Sequence, residues 1–369
     1  MRIFYCIHSL YNSGGMERII VEKANFLAKK GIEVSILTTE QQDKPIFYQL
    51  EDNIKHIDLG INYSEYNSLF LKIITLYFKE YKHKKSLKKI IARYRPDVVI
   101  STFENEASFL TELKDQSKKI LEFHFSKGYR LAKKRKGLLF LVDWYRTRCE
   151  VKIAKKFEHF IVLTEEDKLS WHQLSNVSVI PNFIHLTPES SSFSRKELLS
   201  IGRLSYQKGF DRLIKAFKIV HETYPEWKLI IYGDGEEKDK LLGLIEEYNL
   251  VSFVVIHRPV KNVEEIYCNS SCFVLTSRYE GLPMVLLEAM SYGLPIISYD
   301  CKCGPKDLIN NGLNGFLVPE GNIEELANTI MKLISNRDTM IEMGRNAKVE
   351  SQQYEREVIM QKWIDLFEK

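Results

Sequence analysis

The sequence predicts an α/β protein with two parallel sheets, and three observations carry that expectation. Short β-branched runs alternate with longer amphipathic ones, the alternation stops and restarts once, and a Ser-rich connection separates the two series. At 369 residues, 44% hydrophobic and 28% charged, the chain has the length of roughly two domains and the make-up of an ordinary globular protein, which argues against disorder.

In the first series RIFYCIH (2–8), EVSILTT (33–39) and PDVVIST (96–102) read as buried strands, with helices after the first and before the third. Strand–helix–strand order needs a crossover, so the sheet is expected to be parallel and covered on both faces. MRIFYCIHSL has one basic residue and no small-residue cleavage site behind it, so it reads as the first core strand and not as a signal peptide. The longest apolar region, Leu69–Phe78, is interrupted by Lys72 and is shorter than the roughly 20 residues a bilayer span requires.

The second series is LLSIGRL (198–204), WKLIIYG (227–233), SFVVIHR (252–258), CFVLTS (272–277) and LPIISYD (294–300), each followed by a loop and a helical stretch. Between the series lies SVIPNFIHLTPESSSFSRKE (178–197), where a strand ends at Pro181 and a polar linker follows. The expected domains are therefore 1–181 and 182–351. A final helix from Asp338 to Phe367, anchored by Tyr354, Ile359, Trp363, Ile364 and Phe367, is expected to return residues from about 352 to 369 to the first domain.

YEGLPMVLLEAMSYG (279–293) joins a turn to a short helix, with Pro283 suited to the first helical position and Gly293 to a C-terminal stop. The helix follows the carboxyl end of a parallel strand, where open α/β sheets hold ligands, and its first-turn amides, around Pro283 to Leu286, favour an anion. Glu280 sits in the loop before it. Glu288 stands among Leu286, Leu287, Ala289 and Met290, and an ionised carboxylate in such surroundings is costly unless paired. Vicinal hydroxyls, as on a ribose, would satisfy it, and so would a nearby Lys or Arg. The expectation is a Glu288 largely inaccessible but open on one side.

SIGRLSYQKGFDRLIKAF (200–217) places Arg203 and Lys208 five residues apart after a strand, with Gly209 leading into a helix. Two such cations can clamp two phosphates, or they are solvated surface charge. In HSLYNSGGMERII (8–20), Gly14 and Gly15 let backbone approach a ligand, or simply make a tight turn, and the G-x-G-x-x-G pattern is absent. WKLIIYGDGEEKDKLL (227–242) has Gly233 and Gly235 after a strand, but Lys238 replaces the third glycine and Glu236 and Glu237 would repel a pyrophosphate at the helix start. A nicotinamide site is thus disfavoured, and Gly233 is left as an edge contact for a ligand. ILEFHFSKGYR (120–130) sets His124 at the carboxyl end of a strand, as a ligand-facing group or a hydrogen-bonded structural histidine.

The six cysteines are scattered, and Cys301-Lys-Cys303 lacks a second pair of ligands nearby, so reduced thiols and no zinc site are expected. Catalytic Ser or Cys constellations do not stand out, and neither H-E-x-x-H nor D-x-D occurs.

Three stretches together, EGLPMVLLEAMSYGLPIIS, GRLSYQKGF and GGMER, resemble the family-4 glycosyltransferases of GT-B fold. The likeness covers nearly the whole chain and extends to GLNGFLVPEGNIEELA (312–327), while YDCKCGP (299–305) is similar to members that build bacterial surface polysaccharides. The resemblance implies two Rossmann-like domains facing across a cleft. It also implies a retaining transfer from a nucleotide sugar, a UDP-sugar being favoured, without an essential metal or a resident cofactor. Arg203 and Lys208 would then bind the donor diphosphate, Glu288 the ribose hydroxyls and Glu280 the hydroxyls of the transferred sugar. Gly281, Leu282, Pro283, Met284 and Val285 would add backbone donors, Gly15 beside Gly14 would approach the diphosphate, and His124 would sit beside the sugar. Arg258 stands where the family's glycine is expected in the base-binding segment VVIHRPVKN, with Pro259 and Val260 lining that pocket.

The net charge of +4 conceals an asymmetry. From Lys72 to Glu158 there are 23 Lys or Arg against 10 Asp or Glu, so this stretch carries +13 and the remainder about −9. LFLKIITLYFKEYKHKKSLKKII (69–91) and AKKRKGLLFLVDWYR (132–146) set basic residues beside apolar and aromatic ones, as in elements that lie on an anionic bilayer, or as in a solvated basic helix pair. The expectation is a cytoplasmic protein peripheral on the inner face of the cell membrane, with a lipid-linked or glycan acceptor. A nucleic-acid partner is not expected, since the aromatic residues form no base-stacking platform. Other GT-B enzymes, a phosphorylase or an epimerase, and a non-catalytic scaffold are the remaining alternatives; no pyridoxal phosphate lysine signature is seen.

Overall fold

The computed structural model describes residues 1–63, 69–132, 137–260 and 262–369. Lys133–Lys136, the centre of the second basic cluster, and Lys261 lie outside the described residues, as do the side chains of 69–73. The chain forms two units, one of Met1–Leu163, Lys168–Ile180 and Met360–Lys369, the other of Thr164–Asp167 and Pro181–Ile359.

The first unit is a wholly parallel seven-stranded sheet of β1 (Arg2–Ile7), β2 (Glu33–Thr38), β3 (Lys55–Asp58), β4 (Val98–Ser101), β5 (Lys118–Glu122), β6 (His159–Val162) and β7 (Val177–Val179), in the order β3-β2-β1-β4-β5-β6-β7. Ile3 to Ile7 of β1 are buried without alternation, as in a parallel strand covered on both faces. The sequence pattern passes over β3 and β6. KHID has one apolar residue and HFIV is only four residues long, so both are strands because neighbours supply the ladder.

The second unit is a wholly parallel six-stranded sheet of β8 (Glu197–Ile201), β9 (Lys228–Tyr232), β10 (Val254–His257), β11 (Cys272–Leu275), β12 (Ile296–Asp300) and β13 (Gly315–Pro319), in the order β10-β9-β8-β11-β12-β13. Helix Phe210–Thr223 turns Phe210, Leu213, Ile214 and Phe217 into its core, where they meet Leu229, Ile231 and helix Ile323–Ile334. Thr164–Asp167 belongs here because the Glu165 amide donates to Asp307 (2.5 Å) and the Cys303 amide to Glu166 Oε2 (3.0 Å).

The expected single C-terminal helix is broken into Arg337–Ser351, a 3-10 turn Gln352–Tyr354 and Arg356–Glu368. The Tyr354 carbonyl accepts from the Ile184 amide (2.9 Å) and its hydroxyl donates to the Asp307 carbonyl (3.2 Å), so Glu355 turns extended at ψ 142°. Only after this break does the chain join the first unit, burying Met360, Trp363, Leu366 and Phe367 and placing the Phe367 carbonyl 2.8 Å from Lys118 Nζ. Ile364 is only half-buried. Among the described residues, no helix is long and apolar enough to cross a membrane.

Candidate functional site

Strand order reverses once in each sheet, between β1 and β4 in the first unit and between β8 and β11 in the second, and the loops at such a switch point leave a crevice for ligands. In the second unit the loop after β8 carries Arg203 and Lys208, and the loop after β11 carries Glu280. The structure brings the last two together: Lys208 Nζ lies 2.6 Å from Glu280 Oε1, which also accepts from the Ser277 hydroxyl at 2.5 Å. Glu280 is 7% exposed, its amide donating to the Lys302 carbonyl (3.0 Å). Arg203 is exposed and has no side-chain hydrogen bond or ion pair among the described residues, so it is free to take an anion.

The loops are brought close by glycines. Gly209 has φ +67°, and a Cβ there would run into the Thr276 carbonyl. Gly304, at φ +99°, lets the segment after β12 pack on Gly281 and Pro283. Gly233 has a different explanation from the expected ligand contact: its Cβ position is already occupied by the Gly202 carbonyl, so the packing of the β8 and β9 loops alone requires glycine there.

Helix Met284–Ser291 begins after Pro283 with no side-chain cap and no acidic residue in its first turn, leaving amides for an anion. Helices Ile323–Ile334 and Arg337–Ser351, by contrast, are capped by Asn322 and Asn336. Of the expected backbone donors Gly281 to Val285, Pro283 has no N–H and drops out, and Leu282 is buried. Glu288 is partly exposed, because a helix of only two turns hides Leu286, Leu287, Ala289 and Met290 but leaves the next face partly open. Its Oε2 accepts from the hydroxyl of buried Tyr267 at 3.2 Å, and that ring is stacked on Tyr292, centroids 5.0 Å apart. Arg258, Pro259 and Val260 are exposed after β10, with β9 between them and β8, and are not drawn into the Lys208–Glu280 cluster.

In the first unit, Gly14 precedes and Gly15 begins helix Gly15–Lys29. A Cβ at Gly15 would meet nothing within 4 Å, whereas one at Gly14 would strike the Glu17 carboxylate, which occupies the helix start itself. His124, after β5, has a side chain 5% exposed, with Nε2 3.1 Å from Glu122 Oε1. Glu122 is fully buried and paired with the equally buried Lys23, whose Nζ sits 4.1 Å above the Trp363 ring. Burial pushes the Glu122 carboxyl up, but Lys23 and His124 outweigh it and hold it down at about 2; burial also lowers the Lys23 ammonium. The imidazole is thus anchored by a network that the sequence does not display.

At the carboxyl ends of β4 and β5 lies a cavity of about 310 Å³, bounded by helices Leu69–Tyr94 and Leu138–Ala154. Phe103, at φ +64°, joins Phe123, the stacked pair Phe125 and Tyr129 (4.6 Å) and Arg130 in its wall. Glu104 also lines it, its carboxyl pushed up to about 8 by burial and by the neighbouring Glu106. Aromatic faces beside carboxyl groups suit a sugar ring. The two bounding helices expose Tyr77, Phe78, Tyr81, Leu141, Trp144 and Tyr145.

The profile described as "Glycosyltransferase Family 4" matches residues 13–187, and that described as "Glycosyl transferases group 1" matches 188–350. An uncharacterized glycosyltransferase of Haemophilus influenzae is 30% identical over 98% of both chains. A Campylobacter jejuni enzyme named as an α-1,4-N-acetyl-D-galactosaminyltransferase acting on an undecaprenol diphosphate-linked glycan is 29% identical over 99% of this chain and 98% of its own. Among solved structures, Staphylococcus aureus TarM with UDP bound superposes with a TM-score of 0.77 over the whole of both chains, at 19% identity, a likeness of fold alone.

Proposed function

The chain belongs to the family-4 glycosyltransferases of GT-B fold, and from that premise we propose that it moves a sugar from a nucleotide sugar, a UDP-sugar being favoured, to a lipid-linked glycan acceptor in cell-surface polysaccharide synthesis. The observation that carries this reading is the Lys208–Glu280 pair beside exposed Arg203 and the uncapped start of helix Met284–Ser291. Arg203, Lys208 and the first-turn amides neutralise a diphosphate as it departs, and they bind it best when its charge is fully developed, which lowers the barrier. With this positive charge supplied by protein groups, we assign the donor site no metal and no resident cofactor. Glu280, held by Lys208 and Ser277, keeps an oxygen for a sugar hydroxyl, and Glu288, on the helix that follows, is assigned to the ribose hydroxyls.

We assign a retaining course. The bond from the anomeric carbon to the diphosphate oxygen breaks, the acceptor hydroxyl oxygen bonds to that carbon on the same face, and its proton passes to the departing phosphate oxygen. The acceptor sugar is assigned to the first-unit cavity walled by Phe103, Phe123, Tyr129 and Glu104. Membrane association is supported by the exposed aromatic residues on its bounding helices and by the basic surplus of the region. The Campylobacter relative's lipid-linked acceptor and TarM's bound UDP favour the same choices.

A thermal-shift screen against UDP, GDP and their sugars tests the donor assignment, since a ligand at a hundred times its dissociation constant adds about 2.7 kcal/mol of stability. UDP is expected to raise Tm more than GDP; no shift with any nucleoside diphosphate would remove the donor site. Flotation with anionic liposomes at low salt is expected to recover the protein with the vesicles, and recovery equal to that with neutral liposomes would remove the membrane assignment.

A further inference from the structure

Arg278 lies in the loop between β11 and Glu280, its side chain 12% exposed, and does not contact Lys208 or Glu280 through its guanidinium. Instead it grips Asp211, in the first turn of helix Phe210–Thr223, with two parallel bonds, Nη1 to Oδ1 at 3.1 Å and Nη2 to Oδ2 at 2.8 Å. The guanidinium lies over the Tyr206 ring, 3.9 Å from its centroid, and Nη1 donates also to the Tyr206 carbonyl. Its own amide donates to the Gln207 carbonyl (2.7 Å), the Gln207 side chain returns a bond to the Tyr279 carbonyl (3.0 Å), and the Thr276 hydroxyl donates to the Lys208 carbonyl (3.2 Å). Burial pushes the Asp211 carboxyl up, and the bonds from Arg278 outweigh it and bring it below its ordinary value. The segment that bears Lys208 is therefore laced to the one that bears Glu280 at every residue from Tyr206 to Lys208, and Arg278 is the one side chain in the lacing that binds ring, carbonyl and carboxylate at once.

We propose that Arg278 is a positioning residue of the donor site: through Asp211 and Tyr206 it fixes where Lys208 Nζ stands relative to Glu280, so that one bound nucleoside diphosphate sugar meets both. This deepens the donor-site assignment and rests on it. The planar fork is what the job needs, since a lysine ammonium cannot hold two carboxylate oxygens and a ring face together.

The test is a double-mutant cycle on UDP affinity, measured by calorimetry in the full chain with Arg278→Ala, Lys208→Ala and the pair. Arg278→Ala is expected to weaken UDP binding about tenfold in the parent and less than about twofold once Lys208 is absent, because two residues acting through one contact do not add. Arg278→Lys is expected to recover little, and Asp211→Asn, which keeps the shape of the fork's partner, to shift affinity in the same direction and to substitute if Arg278→Ala fails to fold. Full multiplication of the two effects, or an Arg278→Ala protein with lowered Tm and UDP affinity within twofold of the parent, would overturn the positioning role. Parent protein that binds no UDP, GDP or their sugars would instead overturn the donor site on which it rests.

Discussion

Two lysine–glutamate pairs in this molecule have the same chemistry and opposite settings. Lys23 and Glu122 of the first unit are both 0% exposed, with His124 on one side and the Trp363 ring over the ammonium. Lys208 and Glu280 of the second unit keep 19% and 7% of their side chains exposed and stand where two loops diverge from a sheet. A sealed pair has its partners fixed, so losing one leaves a charge that water cannot reach. An open pair can exchange its partner for a ligand, and that exchange is what a binding site requires. The difference is one of access, not of residue type.

The comparison is broken most readily by removing one lysine from each pair. Lys23→Ala is expected to cost about 3–5 kcal/mol of stability in urea unfolding, because Glu122 keeps a buried charge. Lys208→Ala is expected to cost no more than about 2 kcal/mol, since Ser277 still donates to Glu280, while lowering the rate of sugar transfer by about 10²–10³-fold. Equal stability losses would mean that both pairs are structural. A smaller effect sharpens the contrast through acid. The folded carboxyl of Glu122, at about 2, lies below its unfolded value of about 4.3, so its contribution is complete above the unfolded value and drains away as pH falls toward 2. Urea midpoints at pH 6 and pH 3.5 should separate more in the parent than in Glu122→Gln, and equal separations would remove Glu122 as the acid-sensitive group.

The pairs also mark what could be read from the sequence. Glu280, Arg203 and Lys208 are legible because each sits in a local pattern of strand end, turn and helix start, and locality is what sequence reports. Lys23 reads as one more polar position on an amphipathic helix, and its partner is 99 residues away. Arg278 is written beside Glu280, but nothing near it announces Asp211, 67 residues earlier. For Glu288 the apolar neighbours in sequence are legible and buried, but its partner Tyr267, 21 residues earlier, is not announced by them. The break at Tyr354 escaped because its cause, the Ile184 amide, belongs to a distant connection.

The return of Met360–Lys369 to the first unit sets an order on the making of the protein. On the ribosome the seven strands of the first sheet emerge early, and the whole second unit follows before Trp363 exists to cover Lys23. Through that interval the first unit carries an ammonium and a carboxylate in an interior still lacking one wall. Turns synthesised after the second unit are the ones that finish the first.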